Sequence, residues 1–136
     1  MIIVVRGIPA PQGSKRHVGG GRMIESSRAV GPWREAVRAE TQRAMEAPDP
    51  TGWIAAYDGP VKVGITFTLT RPKTNRERWP IAKKRNDIDK LARAVLDGIT
   101  DGGAIDDDAR VVQLAVQKKF ASPGTAPGCI IKLEEA

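Results

Sequence analysis

The sequence predicts an α/β domain of the α+β type, a small mixed sheet packed against two main helices. Three observations lead there. From Val61 the odd positions Val61, Val63, Ile65, Phe67 and Leu69 are apolar and alternate with Lys62, Thr66, Thr68 and Thr70, the period of a half-buried strand. Ile88, Leu91, Ala92, Val95, Leu96 and Ile99 fall at i, i+3, i+4, i+7, i+8 and i+11, one apolar face of a helix that starts near Asp87. The length of 136 residues suits one domain, 1–136, with a core of its own.

The remaining elements follow in chain order. Ile2 to Arg6 reads as a strand, followed by a turn rich in Pro and Gly. Lys15 to Val18 and Arg22 to Glu25 flank Gly19, Gly20 and Gly21, the pattern of a hairpin with a basic tip. A helix begins near Pro32, shows Trp33, Ala36, Val37, Ala44 and Met45 at helical spacing, and ends by Pro48. Residues 49–59 form a loop with Trp53 and Tyr57 as anchors. After the second helix, Asp101, Gly102 and Gly103 form a turn. Val112, Leu114 and Val116 then alternate with Gln113 and Gln117 as a strand, and Cys129 to Leu133 closes the sheet.

The acidic residues are the most informative feature. Two residues two apart lie about 200° around a helix axis, whereas on an extended segment they point the same way. Asp87 and Asp89 therefore share a metal only if the chain is still extended there, with Asp87 at or just before the N-cap and Asp89 in the first turn. Ordinary capping also puts aspartate at a helix start, because the free N–H groups and the macrodipole favour a carboxylate. A second cluster, Asp106, Asp107 and Asp108, precedes the strand at Val112. By strand parity Asp108 shares the face of Val112, Leu114 and Val116, and Asp107 points away. A helix packed on that face brings Asp108 beside Asp87 and Asp89. Such a set of carboxylates in a basic chain points to a hard cation such as Mg²⁺ acting on a phosphate.

Charge and composition narrow the partner. Lys and Arg number 22 against 16 Asp and Glu, a net charge of +6, and the pI is ≈ 9.8. Arg71, Lys73, Arg76, Arg78, Lys83, Lys84 and Arg85 crowd one long loop, opposed by Glu77, that runs straight into Asp87. Lys15 and Arg16 on the hairpin add to the surface expected to meet DNA backbone. One cysteine, Cys129, and one histidine, His17, exclude a disulfide within the chain and make no structural zinc set, so the chain reads as cytoplasmic. Ile2 to Val5 is too short for a signal peptide, and no apolar run suits a membrane. No nucleotide cofactor is expected. Gly7 and the run Gly13, Ser14, Lys15 have the wrong order and spacing for a phosphate-cradling loop, and Pro9 and Pro11 lack N–H donors. Aromatic residues at 4% provide little for a single-strand stacking platform, which leaves duplex or branched DNA.

The run from Asp87 to Val111 resembles the RusA family of Holliday-junction resolvases. It has a DxD opening an amphipathic helix, a Leu-Asp at Leu96 and Asp97, a glycine turn, and Asp107-Asp108 before a strand. In the N-terminal part the resemblance rests on a strand ending in Gly7, Ile8 and Pro9, then Lys15 and Arg16. It implies a homodimeric, Mg²⁺-dependent endonuclease, of a kind often carried by phages, that nicks four-way DNA junctions symmetrically. It also implies that Asp87, Asp89 and Asp108 are catalytic and hold the metal. The family's catalytic lysine one turn after the DxD is here Arg93, and its asparagine directly after the DxD is here Lys90. The competing expectation is a non-catalytic basic DNA-binding protein of phage or prophage type, whose aspartates cap helices and confer solubility.

Overall fold

The computed structural model describes residues 1–13, 15–18, 22–25, 28–83 and 85–136, with 15–18 and 22–25 described by backbone alone. The chain runs β1 (Ile2–Arg6), β2 (Lys15–Val18), β3 (Arg22–Glu25), α1 (Val30–Glu46), β4 (Val61–Leu69), α2 (Ile88–Asp101), β5 (Val111–Phe120) and β6 (Gly128–Glu135). A single 3-10 turn at Asp108–Arg110 precedes β5. Four strands form one mixed sheet in the order β1-β6-β4-β5, and β2 and β3 pair as a separate hairpin. β5 runs parallel to β4, while β6 is antiparallel to both β1 and β4. The last strand therefore enters the interior of the sheet between the first and fourth, and does not close its edge.

β4 is buried at each of its five odd positions, as its alternation predicts. Val61, Val63, Ile65 and Phe67, with Ile3, Val5, Cys129, Ile131 and Leu133, form the sheet half of the core. The helices supply Val30, Trp33 and Val37 from α1 and Leu91, Ala92, Ala94, Val95 and Ile99 from α2. Fully burying one such large side chain stabilises the fold by roughly 1.5–3 kcal/mol.

Two glycines let the helices meet. A Cβ on Gly98 would lie 2.6 Å from Val37 Cγ1, and one on Gly102 would lie 2.6 Å from Thr41 Cβ. Glycine inside a helix costs about 1 kcal/mol relative to alanine, and here it admits the neighbouring helix. Thr41, fully buried, satisfies its hydroxyl by donating to the Val37 carbonyl at 2.7 Å. Trp53 and Tyr57 anchor their loop as expected: the indole N–H of Trp53 donates to the Ala104 carbonyl at 2.9 Å, and the two ring centroids stand 5.0 Å apart.

Two expectations about burial fail at the edges of elements. Ile88, assigned to the buried face of α2, is exposed, as the first helical residue with no preceding turn beside it. Val112 and Leu114, assigned to the core side of β5, are 64% and 43% exposed. β5 is an edge strand, and its register against β4 slips so that Val61 pairs with Val111 but Lys62 with Gln113. Val112 is the extra residue of a bulge. From Leu114 onward the even positions of β5 pair with the core-facing residues of β4, so Leu114 has the expected side but little to cover it.

Candidate active site

The DxD motif lies where α2 begins. Asp87 is the N-cap residue, with extended backbone at φ −57° and ψ 128°, and its carbonyl accepts from the Leu91 amide at 3.0 Å. Its carboxylate makes no capping hydrogen bond. The capping explanation for Asp87 therefore does not account for its side chain, which is exposed and stands 3.7 Å from Lys90 Nζ. Asp89 occupies the first helical turn and is also exposed.

Three contacts set the position of this turn. Asn86 has φ +53°, a left-handed conformation that asparagine tolerates better than most residues. The Lys118 ammonium, on β5, donates to the Asn86 carbonyl at 2.9 Å. The Gln12 amide donates to the Lys90 carbonyl at 3.0 Å, so the segment after β1 is tied to the first turn of α2.

The three consecutive aspartates have different surroundings. Asp106 forms a paired ion bridge with Arg110, at 2.8 and 2.9 Å, and this bonding holds its carboxyl below the usual range. Asp107 caps the 3-10 turn by accepting from the Ala109 amide at 2.8 Å. Asp108 sits inside that turn, so strand parity does not govern its direction. Partial burial raises its pKa. A hydrogen bond that its protonated carboxyl can donate to Asp107 and the negative charges of Asp107 and Asp97 add to this, and the Arg93 guanidinium opposes it.

The charges on α2 that act on Asp108 are those of Arg93 and Asp97, on the middle and second half of the helix, whereas the far end of β5 reaches the start of that helix through Lys118. Sequence parity placed Asp108 beside Asp87 and Asp89. In the structure Arg93 lies one turn beyond Asp89 on α2, and its positive charge acts on Asp108. Among the described residues no three histidine, cysteine or acidic side chains are gathered closely enough to hold a metal ion.

The basic loop is only partly free for a ligand. Arg71 stacks on Phe120, 4.2 Å from the ring centroid, and donates to the carbonyls of Asn75 and Glu77, so its charge helps to fold the loop. Lys73, Arg76, Lys83 and Arg85 are exposed. Lys84 and the side chains of Lys15 and Arg16 lie outside the described residues. Lys118 escaped the sequence reading, although it shares the parity of Leu114 and Val116 and so points to the helix side of β5.

A family model described as Endodeoxyribonuclease RusA matches residues 6–134, nearly the whole chain. No individual curated protein matches it. Among the described residues no helix is long and apolar enough to cross a membrane.

Proposed function

The chain belongs to the RusA endodeoxyribonuclease family, whose members act on Holliday junctions, and from that membership we propose a Mg²⁺-dependent enzyme that resolves four-way DNA junctions by paired, symmetric nicks. The observation that carries this reading is the family match, which takes in the DxD at the start of α2.

The donor set fits a hard cation. Asp87, Asp89 and Asp108 offer carboxylate oxygens, all three residues are exposed, and Mg²⁺ needs only one or two protein carboxylates when phosphate and water complete its shell. The excess of negative charge around Asp108, Asp107 and Asp97 is of the kind that a divalent cation offsets. When bound, Mg²⁺ supplies Lewis acidity and a water of lowered pKa for attack on the scissile phosphate.

The chain's own groups do the rest. Arg93, one turn beyond Asp89 and acting electrostatically on Asp108, holds a non-bridging phosphate oxygen and offsets charge that develops there. Lys90, beside Asp87, adds a second positive charge. Lys73, Arg76, Lys83 and Arg85, together with Lys84, Lys15 and Arg16, contact the DNA backbone. Arg71 contributes by shaping the loop. Two nicks require two sites, so the active form is a homodimer whose two-fold axis mirrors that of the junction, and it acts in the cytoplasm of a bacterial or phage-infected cell.

Incubating the purified protein with a synthetic four-way junction and a matched linear duplex, with and without Mg²⁺, tests the reading. Symmetric nicks in the junction that require Mg²⁺ are expected. Binding without cutting would make the chain a non-catalytic DNA-binding protein, and equal cutting of both substrates would make it a non-specific nuclease.

Two further outcomes are expected. Arg93→Ala lowers the single-turnover cleavage rate at saturating junction with little change in affinity, and Arg93→Lys retains much of the activity, since a positive charge remains. If Arg93→Ala cuts as fast as the parent, Arg93 is a helix-surface ion partner worth ~0.3–0.5 kcal/mol. Replacing Lys83, Lys84 and Arg85 together by Ala flattens the plot of log affinity against log salt, since each phosphate contact contributes about −0.9 to its slope. An unchanged slope in filter-binding titrations places the DNA elsewhere, on the hairpin that carries Lys15 and Arg16.

A further inference from the structure

The loop between β4 and α2 presents a tryptophan to solvent at an anchored position. Arg71, bonded to the Asn75 and Glu77 carbonyls and stacked on Phe120, folds the loop back on itself. Pro80 is buried and lines a cavity of ≈ 80 Å³ together with Asn75, Arg85, Asn86 and Phe120. The Ile81 amide donates to the Trp79 carbonyl at 2.9 Å, so the chain reverses tightly over Pro80. Trp79 and Ile81, on either side of that reversal, are left 45% and 65% exposed. The Arg78 guanidinium lies over the Trp79 ring, 5.4 Å from its centroid. Asn86, which lines the same cavity as Pro80, immediately precedes Asp87. The exposed ring is thereby anchored to the segment that opens the site helix.

We propose that Trp79, with Ile81 beside it, stacks on bases left uncovered at a branch point and so sets the preference of this enzyme for branched over linear DNA. This rests on the junction-cleaving function proposed above. In a continuous duplex each base face is covered by its neighbours, whereas at a branch point faces become available to an aromatic ring. Phosphate contacts, which the surrounding cations supply, position DNA but do not make that distinction. One exposed ring beside a guanidinium suffices to cap a base, because stacking tolerates any base and gains from the adjacent cation. The low aromatic content argues against an extended platform and leaves room for a single wedge.

The test compares the full-length parent with Trp79→Ala and Trp79→Phe, in Ca²⁺ to prevent cutting, on a four-way junction carrying 2-aminopurine at the branch and on a matched linear duplex. Trp79→Ala is expected to weaken junction binding by about tenfold or more and to abolish the parent's change in 2-aminopurine fluorescence, while duplex affinity changes by less than about twofold. Trp79→Phe keeps a stacking ring and is expected to restore most of both signals. Equal losses on junction and duplex, no loss on either, or a changed elution volume that accompanies the loss would overturn the proposal. The parent keeps the two ideas apart. If it does not prefer or cut junctions, the function itself is wrong, whereas a parent that cuts junctions with a Trp79→Ala variant that binds them equally well refutes only the role of Trp79.

Discussion

Asp87→Asn, Asp89→Asn and Asp108→Asn are each expected to leave junction binding largely intact and to lower single-turnover cleavage in Mg²⁺ by roughly a hundredfold or more. Asparagine keeps the size and one oxygen but removes the charge that a hard cation requires. None of the three side chains is part of the core, and the Asp87 carboxylate does not cap α2, so unfolding would not explain the loss. Thermal melts alongside the kinetics check this. Asp107→Asn is the matched control: its carboxylate is bonded to the Ala109 amide, an interaction that asparagine can also make. Full activity in all three variants would remove the proposed metal site. An Asp107→Asn loss as deep as that of Asp108→Asn would show that the turn, and not one carboxylate, matters.

The largest loss of stability is expected at Phe67. Its side chain is fully buried in β4, with Lys118 of β5 and Cys129 of β6 as register partners. Phe67→Ala removes the whole ring from a strand paired on both sides, where the surrounding backbone cannot collapse into the void. A destabilisation of ~3–5 kcal/mol follows, read as a lowered urea midpoint at unchanged slope. A change under about 1 kcal/mol would mean that the packing around β4 is looser than described.

The sequence made the element types legible because each has its own period. The alternation from Val61 to Leu69 and the helical spacing from Leu91 to Ile99 survive in the structure nearly residue for residue. Sheet order was not legible, since nothing local in Cys129 to Leu133 reveals that this strand pairs with both Val4 and Thr66. The bulge at Val112 was hidden for a related reason: the slip depends on what lies opposite, and a single-strand pattern reads straight through it.

The candidate site divides in the same way. Asp87 as N-cap and Asp89 in the first turn follow from the apolar face of α2 alone. The direction of Asp108 rested on extending strand parity into residues that form a 3-10 turn, where that parity does not hold. The action of Arg93 on Asp108 depends on how α2 lies against the turn before β5, a tertiary relation. Trp79 was visible as a residue, but its exposure depends on Pro80 being buried.

The close approach of α1 at Gly98 and Gly102 has a consequence for the motions available to α2. Its second half is wedged against Val37 and Thr41 and tied by the Arg34–Asp101 ion pair, so local opening there means separating two helices. Its first turn seats Leu91 in the core, but the residues ahead of Leu91 are held by contacts of another kind, the hydrogen bonds from Lys118 to Asn86 and from Gln12 to Lys90. Local stability then falls along the helix toward Asp87 and Asp89. The acidic end can adjust to an ion and a phosphate while the far end stays fixed, and the entropy lost on ordering that end is drawn from binding, which links the rigidity of the first turn to occupancy of the site.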